Sequence, residues 1–385
     1  MRFLPLPVLL FLALLMPSAH LSAQQARVTT FGDRSRDRGV HIAPLPDGTF
    51  AVTGIWQEEG RGDDDVLLAV LEADGRPRWR RAHGGARRDW GWCVIPLEEG
   101  GFFVVGTTAS SGAGLHDMML LRADSRGEQL WRKAYGGEAE EYAWSGKLMP
   151  DGGVVMAGET TTRSSGERDV FLLRAGPEGD LLWERRWGGE GEDRLFSVAA
   201  REDGALLAVG MTTSRGSGEE DALLMTFTPE GEILRAEARG GEGLDVAHHI
   251  TSLPDGYLVT GYTGEHGSQM HDPWVLLLDG EGEVAGERAV TIPGVNRTLT
   301  GCLTSEGYLA LTGLSLDAGG TSSVLTVQLD PDGSLRRTGT YAAGENSLGY
   351  TVCPVPDGGF AVIGHTASGE GDLQVYFLRY PGGWD

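Results

Sequence analysis

One recurring place in the chain carries side chains able to hold a ligand by their rings. Val40, Trp92, Trp144, Phe196, His248, Leu299 and Tyr350 follow one another at intervals of 51 or 52 residues. Rings brought to one level around a cavity can stack on sugars or flat ligands. Large apolar side chains are also what packing between repeated units requires, and packing is the preferred reading of the set as a whole. Trp90 is expected just outside its strand and exposed. If the cavity takes a ligand, Trp90, Trp92, Trp144, His248 and Tyr350 are the residues that touch it.

Carboxylates and histidines give a second chemistry. Ca²⁺ takes several oxygen ligands from loops, and "RGDDD" (61–65) is the densest acidic run. Its Asp63 and Asp64 are candidate ligands, although the spacing matches no Ca²⁺ loop and a solvated loop is preferred. His116, His248, His249, His266, His271 and His365 are expected on one face. Zn²⁺ needs three or four converging ligands. Adjacent His248 and His249 would project from opposite faces of a regular strand, so at most one could join such a site. His266 and His271 share a loop with Asp272 and are kept as weak metal candidates. An Asp recurs before an apolar run at Asp65, Asp117, Asp169, Asp221, Asp272 and Asp372. It is read as structural, accepting hydrogen bonds from loop amides. The acids at Asp37, Asp89, Glu141, Asp193 and Asp245 are read the same way. The chain has no G-x-S-x-G, H-E-x-x-H or Lys-bearing phosphate loop, so enzyme signatures are missing.

The elements that must position these residues are written in the repeat. A Gly recurs every 52 residues at Gly32, Gly84, Gly136, Gly188 and Gly240. An acid-Gly turn recurs in seven copies, from Asp47-Gly48 to Asp357-Gly358, and a second turn glycine in seven, from Gly75 to Gly382. Each unit holds four short apolar or alternating runs bounded by turn residues, which reads as four strands. In the third copy they are "YAWSGKLM", "GVVMAGETT", "DVFLLRA" and "LLWERRW". Four-stranded antiparallel units in tandem predict a β-propeller. The fold class is therefore all-β, a seven-bladed propeller. The start "ARVTTFG" matches a fourth strand and the last unit stops after its third, so the amino-terminal strand is expected to complete the final blade.

The unit resembles the tandem propeller repeats of secreted bacterial proteins, grouped with the quinoprotein-like (PQQ-like repeat) superfamily. "RADSRGEQLW" (122–131) is similar to that superfamily's tryptophan-docking motif, with Trp79, Trp131 and Trp183 as the docking residues. Arg235, Gly286 and Arg337 break the pattern in later units. The resemblance implies fold and leaves function open, because propellers host many activities. The quinone-dependent dehydrogenases of that superfamily have larger propellers and usually a vicinal Cys pair near the cofactor. This chain has no Cys-Cys, so PQQ is not expected and no cofactor is predicted.

Residues 1–23, "MRFLPLPVLLFLALLMPSAHLSA", read as a secretory signal peptide with no lipobox cysteine. Residues 24–385 are read as one propeller domain, periplasmic or extracellular. No later segment runs apolar for 18 residues, so no membrane span is expected. The formal charge is −23. Nucleic acid, which needs basic patches, is not an expected partner. Cys302 and Cys353 lie 51 residues apart; two small buried residues is the preferred reading over a disulfide. The expected product is a monomeric, exported, non-catalytic module that binds a protein or glycan through one loop face and the channel mouth. The alternatives are a carbohydrate-active enzyme in the channel, using paired carboxylates such as Asp89 and Glu141, and a purely structural envelope protein.

Overall fold

The computed structural model describes residues 19–20, 26–57, 63–264, 270–342, 344–367 and 372–382. In the second unit, Asp89–Pro96, Phe102–Thr108, Asp117–Ala123 and Gln129–Tyr135 pair in chain order, each antiparallel to the next. The other units repeat this, giving seven four-stranded blades in a ring, and no helix occurs among the described residues. The first strand of each blade lies innermost. Closure is as expected: Arg27–Ser35 pairs with Leu373–Tyr380 as the outermost strand of the seventh blade. Ala19–His20, inside the expected leader, lies parallel to Arg337–Thr338 at the outer edge of the sixth.

Second and third strands have neighbours on both faces, so they read as unbroken apolar runs instead of alternating. All of Phe102–Thr108 is buried, whereas the outer strand Pro77–His83 alternates with solvent. The core lies between blades. Phe103, Met118 and Leu120 of the second blade meet Val154, Met156 and Phe171 of the third, and each such side chain contributes about 1.5–3 kcal/mol. At three junctions a fourth-strand Trp covers the turn glycine of the next blade: Trp79 on Gly127, Trp131 on Gly179 and Trp183 on Gly231. Gly179 sits at φ +80°, and a Cβ there would come within 2.9 Å of the Trp131 ring. Only glycine satisfies both the backbone and the contact.

The repeated acids tie the loops of one face together. Asp221 accepts from the Ser217 and Gly218 amides at 3.0 and 2.9 Å, and Asp169 from Ser165 at 2.7 Å. Asp89, Glu141, Asp193 and Asp245 each accept from the second Gly of their "GG" pair at 2.7–2.8 Å. Those bonds fix the loop preceding each first strand.

One departure from regular pairing recurs in all seven first strands. The register shifts at Val40, Trp92, Trp144, Phe196, His248, Leu299 and Tyr350, leaving each without a partner on the second strand. Such a bulge turns two successive side chains to the same side. The innermost strands therefore present more side chains to the axis than strict alternation allows.

Candidate binding site in the central channel

A cavity of about 350 Å³ opens on the axis, and all seven bulged residues line it. Rings from successive blades form a continuous wall. Trp92 and Trp144 lie 4.8 Å apart between centroids, Trp144 meets Phe196 edge-on at 6.1 Å, and Phe196 stacks on His248 at 4.8 Å. The rings thus pack across blade boundaries and still keep surface toward the cavity, since these four and Tyr350 are only partly buried. Val40, Leu299 and Tyr350 make the less aromatic side.

The residue after the bulge also faces inward in six of the seven blades. His41, Cys93, Ser145, His249, Thr300 and Thr351 line the cavity. The expectation that His248 and His249 point to opposite faces is corrected here: the bulge at His248 places both on the channel. This second level stitches neighbouring blades. Thr300 Oγ1 donates to the Tyr350 carbonyl at 3.1 Å, Thr351 Oγ1 to that of Val40 at 2.7 Å, and His41 Nδ1 accepts from the Val94 amide at 3.3 Å.

A third level forms the rim toward the loop face. Trp90 belongs to it, and its expected exposure is corrected: it lies within the strand and is half-buried. Its Nε1 donates to Asp64 at 3.1 Å, and its ring stacks on His116 at 5.5 Å and on Tyr142 at 6.4 Å. Beside Tyr142 lies Glu159, 2% exposed, contacted by Arg168 at 2.5 Å and Arg194 at 3.0 Å. Arg194 also pairs with Glu192 and lines the cavity. Around the ring, Arg297 Nε donates to His271 Nδ1 at 3.1 Å and its guanidinium lies 4.9 Å from the Tyr262 ring centre. Arg38 lies beside Tyr350.

Burial sets the charge state of this site. It lowers His248, His249 and His365 to about 4 and His41 to about 3. After burial, Arg297 adds to the effect on His248 and Arg38 to that on His365. The four imidazoles are neutral at pH 7 and offer hydrogen bonds without charge. Burial raises Glu159 against the opposing pull of Arg194 and Arg168.

Of the metal candidates, Asp63 and Asp64 lie apart from His271, and His266 falls outside the described residues. Asp64 is engaged by Trp90, and His271 faces the Arg297 cation. Among the described residues no three His, Cys, Asp or Glu side chains converge to hold a metal. Asp89 and Glu141 are fully buried and bonded to loop amides. Cys302 and Cys353 are both buried and unbonded. Sequence reasoning missed His41, Tyr142, Glu159, Arg194 and Arg297. For Glu159 the available signal was the place in the second strands occupied by Ile55, Thr107, Glu159, Met211, Tyr262, Leu314 and His365, where the repeat changes chemistry from unit to unit.

No family model matches the chain. Over 139 residues it is 30% identical to the regulatory protein FlaEY of Caulobacter vibrioides, covering 31% of this chain but only 15% of that protein's length. Its fold is similar to the Pan2 WD40 domain of Neurospora crassa, with TM-score 0.51, 10% identity and coverage of 95% of this chain and 99% of that one. The β-propeller domain of the Trilobed protease from Pyrococcus furiosus aligns at TM-score 0.49 and 10% identity, covering 89% and 93% respectively. At these identities the structural likeness extends to the fold alone.

Proposed function

We propose that this chain, exported and freed of residues 1–23, is a monomeric binding module that holds a saccharide in its channel mouth. The observation that carries the reading is the half-buried wall of Trp92, Trp144, Phe196 and His248 on a cavity of about 350 Å³. Partly exposed, rigid rings in a concave site give a sugar apolar area at little entropic cost. A site on this side of the ring also suits a peptide segment of a partner. The channel-enzyme alternative loses its carboxylates, since Asp89 and Glu141 are spent on loop amides. Kinship with the quinoprotein-like propellers is part of the proposal, supported by Trp79, Trp131 and Trp183 each laid on the next blade's turn glycine.

The test immobilises residues 24–385 and exposes them to a glycan array and to envelope extract of the source organism. A saccharide retained by the protein, and lost at least tenfold in Trp144→Ala with an unchanged melting curve, is the expected result. Retention unaffected by Trp92→Ala and Trp144→Ala moves the site elsewhere. No retained partner at all favours a purely structural envelope role.

A further inference from the structure

The rim of the channel is cationic on the side away from the aromatic wall, although the chain as a whole carries −23. Arg168 and Arg194 are neutralised by Glu159 and Glu192. Arg38 and Arg297 are not. Among the described residues no carboxylate stands within ion-pair distance of either. Arg297 is satisfied by a neutral imidazole and a ring face, at 3.1 and 4.9 Å; Glu220 lies in its field but beyond ion-pair distance. The Arg38 Nε and the His365 Nδ1 are both buried with no hydrogen-bond partner. A buried guanidinium donor without an acceptor is costly, and a guanidinium recognises a carboxylate in a planar, two-bonded geometry.

We infer that the channel takes an acidic saccharide, a sugar ring bearing a carboxylate. The ring stacks on the Trp92 and Trp144 wall, and the carboxylate is received at the rim by Arg38 or Arg297, with Tyr350 and His365 as neutral partners. Neutral histidines at pH 7 leave these two arginines as the cations of that side with no directly paired carboxylate among the described residues. An anionic ligand must approach against the net charge of the chain, so the local cations decide which sugars enter. This inference rests on the binding-module reading and adds the ligand class to it.

The experiment is calorimetric titration of residues 24–385 with trigalacturonate and with its fully methyl-esterified form. The two share rings and linkages and differ in charge. The acid is expected to bind at least tenfold tighter than the ester, and the preference to fall below threefold in Arg38→Gln, Arg297→Gln. Trp144→Phe, a substitution that keeps a ring, is expected to weaken both ligands by similar factors, with folding checked by thermal melting. Equal binding of acid and ester overturns the inference and leaves the module reading standing. So does failure of both probes when the array yields a neutral saccharide that Trp144→Ala releases. Failure of both probes together with an empty array removes both.

Discussion

Four neutral imidazoles around one channel make folding sensitive to mild acid. For His248, His249 and His365 the folded value, about 4, lies below the ordinary imidazole value of 6.5. Between those two values the unfolded chain holds the proton and the folded chain does not. Stability is therefore fully present above pH 6.5 and is lost as pH falls toward 4. At pH 5 each of these rings costs about 2 kcal/mol relative to pH 7.5, or about 6 for the three. The rings border a water-accessible channel and keep part of their surface, so that figure is discounted to about 3 kcal/mol. His41, lowered further, adds in the same direction. Asp117, Glu159 and Glu220, raised by burial, act oppositely as pH falls toward their range. A comparison with the double variant His249→Gln, His365→Gln removes that background. Urea unfolding followed by Trp fluorescence at pH 7.5, 6 and 5 should show the variant losing about 2 kcal/mol less than the parent between the extremes. A difference below about 0.5 kcal/mol, or an NMR titration placing His248 or His365 above pH 6, would show that burial does not hold these rings neutral.

Three further outcomes follow from the geometry. A Cβ at Gly136 would lie 2.2 Å from Glu141 Oε2 and 2.3 Å from Asp117 Oδ1, so Gly136→Ala should cost about 1–3 kcal/mol by overpacking; an unchanged urea midpoint would contradict this. A chain beginning at Arg36 lacks the outer strand of the seventh blade and bares the edge of Leu373–Tyr380. It should self-associate with concentration in gel filtration, and a monomer with unaltered melting would count against closure. Burial pushes the Cys93 thiol up to about 11 and Cys353 to about 12, with Cys302 also well above its usual value. All three should resist Ellman's reagent at pH 8 until urea is added; rapid reaction of the native protein would show an accessible thiol.

The fold was legible because the repeat is punctuated by residues with no substitute. Turn glycines, loop-tying acids and unbroken second and third strands each recur at the blade interval, and strands such as Asp169–Ala175 and Leu181–Trp187 begin and end where the sequence places them. The channel was legible in part. Spacing put Trp92, Trp144, Phe196, His248 and Tyr350 at one level, and they share one cavity. What escaped is the bulge. Period-two reasoning assumes an unbroken ladder, and nothing in "DVAHHITSL" declares that His248 drops out of it. Everything depending on that extra residue was hidden: the pairing of His248 with His249 and the inward turn of His41. Glu159 escaped for another reason. It is a buried acid in an otherwise apolar run, and only the fold shows that Arg168 and Arg194 meet it.

Where the ligand sits is the claim on which the rest depends. Fluorine NMR of the protein labelled with 5-fluorotryptophan, each signal assigned by single Trp→Phe variants, reads it directly during titration with trigalacturonate and its methyl ester. Trp92 and Trp144 are expected to shift on binding while Trp79, Trp131 and Trp183, on the outer strands, stay fixed. Movement of the outer tryptophans with Trp92 and Trp144 unperturbed would contradict that claim.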